Sequence, residues 1–297
     1  MRVPAVVRLL RPRQWVKNLL VFAAPAAAGV LDQAEHLGRT SLLFVAFCLA
    51  ASGTYCINDA ADADADRSHP RKRFRPVASG EVSVTAARAL GAVLLAAGVG
   101  VAALTGGWPT AGIVALYVSI TTAYTLWLKH QAVIDIVVVA SGFVVRAVAG
   151  VVGTDLPLSD WYLIVASFGS LFLVAGKRST ELNLGAGASE HRKALVSYSP
   201  PFLLFVRSVS AGIALLAYCL WAFERAELAD GGFPWFQLSI VPFTTAILRY
   251  ALVHSMEEHA GPEDIVLGDR TLLLIGALWA LMMGFGVYVA GTPPVAG

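Results

Sequence analysis

LLFVAFCLAASGTYCI (42–57) runs directly into NDAADADADRSHPRKRFRPVASGEV (58–82). The first run carries no charge; the second packs four aspartates between 59 and 66 and five Arg or Lys between 67 and 75. A helix that crosses a bilayer needs roughly 20 mostly apolar residues. The switch at Asn58 therefore reads as the place where a membrane helix meets water.

The rest of the chain fits that compartment. Apolar residues make up 57% of the 297 and charged residues 14%, against about 25% charge in a soluble domain. Mean hydropathy is +0.68. Cys48, Cys56 and Cys219 lie in apolar runs without CxxC spacing, which argues against a disulfide framework or a zinc site. Nine apolar stretches are predicted to span: 16–31, 40–57, 84–105, 109–128, 131–153, 159–176, 200–223, 235–253 and 271–290. Pro25 interrupts the first, and PAAAG after it resembles a signal-peptidase site. RPRQWVKN, with its aromatic ring and cations placed as an interface anchor, favours a retained helix. The expected fold is an all-α bundle of nine transmembrane helices, one polytopic domain over 1–297.

Cations set the orientation. With the N-terminus inside, sixteen Lys or Arg fall in cytoplasmic segments, among them Arg2, Arg71 and Arg192, against Arg39 and Arg225 outside. That excess places the loop after the second helix in the cytoplasm. Positive loops are routine there, so the arginines alone say little. Four aspartates in such a loop do nothing for topology and ask for another explanation.

Asn58, Asp62 and Asp66 are spaced i, i+4, i+8, on one face of a helix. Asp59 sits at the edge of that face and Asp64 points away. Oxygen ligands so arranged suit Mg2+ shared with a phosphorylated substrate. Pro70 and Pro76 should end the helix and leave RKRFRP as a cationic loop beside the metal. Metal and cations together are what a diphosphate requires. A calcium loop fails, because Arg67 and Arg73 stand where that loop needs Gly and Glu. The remaining reading of the block is a solvated charged loop.

Other cytoplasmic loops add candidates: Tyr124 and Lys129 in YTLWLK, Asp135 just after, Lys177, Arg178 and Glu181 in KRSTE, and Arg13 and Lys17 near the first helix. Arg146, three turns into the fifth helix, needs a partner or a polar cavity; a structural ion pair and a substrate role both remain open for it. Arg207 and Arg249 read as structural. His254 and His259 with Glu257 and Glu258 lack HExxH spacing and read as facing solvent.

These motifs resemble the UbiA superfamily of membrane prenyltransferases. RPRQWVKNLLVFAAP (11–25), the 58–82 block, YTLWLK with Asp135, KRSTE and PEDIVLGDRTLL (262–273) are similar to one branch of it. That branch moves 5-phosphoribosyl from 5-phosphoribosyl 1-diphosphate to a polyprenyl phosphate such as decaprenyl phosphate, for cell-wall arabinan precursors. Aromatic prenyltransferases of this fold usually carry a second aspartate-rich motif after the sixth helix. Here that loop is KRSTELNLG, whose cations suit a donor with a second phosphate.

The resemblance implies Asn58, Asp62 and Asp66 as magnesium ligands, with Asp59 in support. Arg67, Lys72, Arg73, Arg75, Lys177, Arg178 and Glu181 would line the donor site, and Tyr124, Lys129 and Asp135 would orient the ribose. Arg13, Lys17 or Arg146 would position the acceptor phosphate. Asp62, Asp66, Lys129 and Asp135 are the expected catalytic set. Expected partners are the donor, the polyprenyl phosphate and the lipid bilayer of the cell (inner) membrane, not nucleic acid, with room for a homo-oligomer. The active site is expected on the cytoplasmic face. An aromatic prenyltransferase is the alternative. A transporter is the remote one, since no inverted repeat of broken helices is visible.

Overall fold

The computed structural model describes residues 4–70, 72–183, 193–229, 232–256 and 261–289. Arg2, Arg71, Arg192, Glu257, Glu258 and His259 lie outside the described residues. Among the described residues the regular structure is all helical. In chain order the α-helices are α1 Ala5–Leu10, α2 Ala23–Ala27, α3 Ala34–Ala61, α4 Ala63–Ser68, α5 Val84–Leu126, α6 Ile134–Gly153, α7 Asp160–Asn183, α8 Lys193–Val196, α9 Pro200–Glu227, α10 Trp235–Met256, α11 Pro262–Gly268 and α12 Arg270–Tyr288.

Six of these are long and apolar enough to cross a membrane: α3, α5, α6, α9, α10 and α12. Two expectations change, and the division between the third and fourth spans holds. The first predicted span is not one α-helix: Pro12–Phe22 winds as a 3-10 helix and hands over to the short α2, which contains Pro25. The segment is nevertheless held, with Trp15 Nε1 donating to Ser52 Oγ at 3.0 Å and Val21 buried beside Phe47 and Tyr117. The third and fourth predicted spans follow each other in Val84–Leu126 as two helices on either side of a kink; the 43 residues, at about 65 Å if straight, are roughly twice the hydrocarbon thickness. Gly106 and Gly107 form the kink, and Gly107 adopts φ +71°, ψ −150°, a region essentially closed to other residues. Thr110 Oγ1 ties the two parts by donating to Ala102 O at 2.6 Å. Lastly, α7 is not among the six; it begins at Asp160 and carries Lys177, Arg178 and Glu181 in its final turns.

Helices in lipid gain nothing from burying oil against oil, so close packing of small residues holds them together. A Cβ built on Gly53 of α3 would lie 2.9 Å from Gly91 O of α5, and one on Gly91 would lie 3.1 Å from Gly53 O. This backbone contact fixes the charged end of α3 against the start of α5. Leu9, Cys56, Ala63, Val77 and Ala87 are buried together just below it. The N-terminal segment, the end of α3 and the 72–82 loop thus meet at one end of the bundle.

Candidate active site

At that end α3 does not simply continue through its aspartates. Asp62 closes α3 and opens α4 with φ −93° and ψ 5°, so the single unbroken helical face expected for Asn58, Asp62 and Asp66 carries a bend. The turn-to-turn bonding survives it. Asp62 N donates to Asn58 O at 2.9 Å and Asp66 N to Asp62 O at 2.8 Å, which keeps the three residues stacked. Asp side chains favour helix ends over helix interiors because they compete for backbone groups, and a run of like charges adds to the tendency. His69 is extended and ends α4 before Pro70, as the proline ring demands of its predecessor.

Cations reach each aspartate from a different element. Arg11 Nη2 lies 2.6 Å from Asp59 Oδ1, and Arg75 Nη1 lies 3.3 Å from the same oxygen and 2.7 Å from Asp66 Oδ2. Lys129 Nζ, from the turn after α5, lies 2.8 Å from Asp62 Oδ1. Asp59 and Asp66 are buried, while Asp62 keeps 29% of its side chain exposed. In each of these aspartates one oxygen is engaged; Asp59 Oδ2 is buried with no hydrogen-bond partner. Asp64 points outward, 95% exposed, and pairs with Arg67.

A second ionic cluster joins α5, α6 and α7. Arg178 is fully buried, with Nε 2.7 Å from Asp135 Oδ2 and Nη1 2.6 Å from Glu181 Oε2. Its Nη2 donates to Tyr124 OH at 3.1 Å. Tyr198 donates to Asp135 Oδ1 and accepts from Val133 N at 2.7 Å. Burial, then the bond to Asp135, pushes the Tyr198 phenol pKa up. Two consecutive residues of α5 connect the clusters: Tyr124 touches Arg178, and Thr125 Oγ1 lies 3.3 Å from Asn58 Oδ1.

The remaining expected residues divide clearly. Lys72 and Lys177 are half-buried beside this end, and Arg73 is exposed, its guanidinium 4.8 Å from the Phe74 ring centre. Lys17 Nζ donates to Gln14 Oε1 at 2.5 Å, and Arg13 is exposed. Arg146 is buried without a carboxylate. It donates to Asn18 Oδ1 at 2.7 Å, Gly142 O at 2.6 Å and Tyr117 OH at 2.9 Å, with its guanidinium 4.4 Å from the Tyr117 ring centre. His254 is buried rather than solvent-facing; its Nε2 lies 2.7 Å from Gly176 O and 3.2 Å from Thr180 Oγ1. Sequence reasoning passed over Arg11, Thr125 and Tyr198. Arg11 opens a quoted motif and could have been found; Tyr198 carries no motif signal.

An apolar cavity of about 1060 Å³ lies between the N-terminal segment, α6, α7, α9, α10 and α12. Leu19, Phe143, Phe172, Tyr218, Tyr250 and Trp279 are among its walls. Ligand pockets for small molecules usually hold about 300–1,000 Å³, so this one has room for a long hydrocarbon.

Residues 19–267 match the UbiA prenyltransferase family. Among curated relatives, decaprenyl-phosphate phosphoribosyltransferase of Mycobacterium tuberculosis is 47% identical over 295 residues, covering 96% of this chain and 95% of that protein. The protein of the same name from Corynebacterium glutamicum is 40% identical over 288 residues, covering 96% and 87%. Among solved structures, a UbiA homolog from Archaeoglobus fulgidus bound to GPP and Mg2+ superposes with a TM-score of 0.73 at 19% identity, covering 96% and 99%.

Proposed function

The chain belongs to the UbiA prenyltransferase family, and from that premise we propose that it transfers 5-phosphoribosyl from 5-phosphoribosyl 1-diphosphate to a polyprenyl phosphate, releasing diphosphate. The observation that carries this reading is the end of α3. Asp59, Asp62 and Asp66 each hold one oxygen on a cation, Asp62 keeps 29% of its side chain exposed, and the same bundle encloses an apolar cavity. An anionic, water-soluble donor and an anionic lipid acceptor need both environments in one bundle. The relatives named for this activity, 40–47% identical, support the choice of substrates.

The donor set fits magnesium. Every candidate ligand at Asn58, Asp62 and Asp66 is an oxygen, and among the described residues no three His, Cys, Asp or Glu gather tightly enough to hold a metal alone. Magnesium is commonly held by one or two carboxylates with the substrate's phosphates completing the shell. Bound there, it would neutralise charge on the departing diphosphate. Lys129, held 2.8 Å from Asp62, is placed to orient the ribose beside that diphosphate. Lys72, Arg73 and Lys177 supply cations for phosphate oxygens, which they hold as charge-assisted hydrogen bonds. Arg75 and Arg11 fix the buried aspartates, and Asp135, through Arg178, fixes Tyr124. The acceptor phosphate is already an anion near neutral pH, so no general base is required. Catalysis then consists of positioning and of stabilising the leaving charge. The polyprenyl tail lies in the apolar cavity.

The reading takes 1–297 as one membrane domain of nine spans, with the 3-10 segment, both parts of α5 and α7 joining the five other apolar helices. It places the site on the cytoplasmic face, as the excess of cations there supports. Cysteine at Ser79, beside the site, should react with an impermeant thiol reagent only from the cytoplasm, and cysteine at Trp108 only from outside. Reversed labelling would overturn the orientation. The activity itself is tested with purified protein, labelled 5-phosphoribosyl 1-diphosphate, magnesium and polyprenyl phosphate. Label should pass into the organic phase. No label there, with prenyl transfer to an aromatic acid instead, would replace this reading by the aromatic one.

A further inference from the structure

Arg207 stands two turns into α9 and is half-buried. Its Nε is buried without a hydrogen-bond partner, and no carboxylate pairs with it among the described residues. A cation at such depth is costly unless something answers its charge. Arg146 of α6, also buried, is answered by three hydrogen bonds. Around Arg207 the ring of Phe172 has its centre 5.8 Å from the guanidinium, and Tyr250 and His254 lie within electrostatic reach. Neither ring stacking nor a phenol satisfies a guanidinium's five donors.

Its position gives the missing partner a shape. Phe172 and Tyr250 line the apolar cavity. From Arg207 along α9, Ala211, Ala214, Tyr218 and Trp221 follow at steps of four and three, which is one helical face, and all four line the same cavity. A single stripe thus begins with an unanswered cation and continues as apolar wall. An anionic head on a long hydrocarbon matches it; a soluble phosphate would leave the wall empty.

We propose that Arg207 binds the phosphate of the polyprenyl phosphate acceptor at the mouth of the cavity, with the isoprenoid tail running along Ala211, Ala214, Tyr218 and Trp221. This rests on the reading above for the identity of the lipid, and it moves the acceptor phosphate from Arg13, Lys17 and Arg146 to a residue outside every motif. Arg207 is a binding residue for one substrate, so its effect should separate the two Michaelis constants.

The test measures both in wild type, Arg207→Gln and Arg207→Lys. R207Q should raise KM for polyprenyl phosphate on the order of thirtyfold or more, as truncating a desolvated charge contact does. KM for 5-phosphoribosyl 1-diphosphate should not change, and R207K should fall between, keeping the charge without the planar fork. Should R207Q fail to fold, R207K alone must show the same one-sided shift. An unchanged acceptor KM, or an equal rise in both constants, overturns the proposal. A second arm needs no turnover: binding of polyprenyl phosphate against the matching polyprenol. Wild type should prefer the phosphate and R207Q should not, whichever reaction the wild type performs. Displacement of polyprenyl phosphate by an equal mole fraction of bulk anionic phospholipid would assign Arg207 to any lipid phosphate and overturn its role as the acceptor's site.

Discussion

At the end of α3, Asp59, Asp62 and Asp66 meet cations through one oxygen each, and Asp62 faces solvent. At the end of α7, Arg178 is enclosed by Asp135, Glu181 and Tyr124, with 1% of its side chain exposed. Both ends put acid against base at the same end of the bundle, and both belong to motifs rich in charge. They differ in what is left over for a ligand. The first retains carboxylate oxygens and a lysine with 19% of its side chain exposed; the second uses its guanidinium to join three helices. Charge density alone therefore does not mark a substrate site. The groups still open after the fold has formed do.

The comparison breaks most sharply at the open end. Asp62→Ala and Asp66→Ala should lower kcat on the order of a thousandfold or more, the loss expected when stabilisation of a leaving anion is removed. The melting temperature of the Asp62 variant should barely move, because that side chain is partly solvated. A large loss of stability with activity retained in the folded fraction would make the ladder a structural element. At the closed end the order is reversed. Arg178→Ala leaves Asp135 buried and unpaired, which costs about 3–5 kcal/mol and should show as a marked drop in thermal stability. If that variant melts like wild type and instead loses donor binding, the enclosed cluster is a binding site and the contrast fails.

Lys177 sharpens the boundary between the two. It neighbours Arg178 in sequence but is only half-buried. Lys177→Ala should weaken 5-phosphoribosyl 1-diphosphate by about 2 kcal/mol and free diphosphate much less, with stability kept. Equal losses, measured by titration in magnesium, would move Lys177 onto the diphosphate. The smallest effect belongs to Asp64, whose exposed pair with Arg67 is worth about 0–1 kcal/mol. Asp64→Ala should keep most of the turnover; losses matching those of Asp62 would show that every acid of the block contributes.

Much of this was legible beforehand for a plain reason. Hydropathy and cation bias act residue by residue, so the chain's apolar stretches and the clustering of 58–82 could be read directly. The i, i+4, i+8 spacing anticipated the stacked backbone bonds of Asn58, Asp62 and Asp66. It did not anticipate the bend at Asp62, because helix spacing assumes a straight helix and local charge repulsion does not. The division of 84–128 follows from the GGWP stretch at 106–109, whereas the 3-10 winding of Pro12–Phe22 has no such signal in the pattern.

Composition and pattern by themselves determined that this chain crosses a membrane, where its acids and bases gather, and which family it resembles. Those properties are carried by single residues or by spacing along one helix. The tertiary structure alone decided that Asp135 and Arg178, 43 positions apart, close on each other while Asp62 stays open. It also decided that Arg207, outside every motif, has a buried Nε without a hydrogen-bond partner on the helical face of α9 whose later residues line the apolar cavity. Whether a charge is spent inside the protein or left for a ligand depends on which helices pack beside it, and no local pattern encodes that.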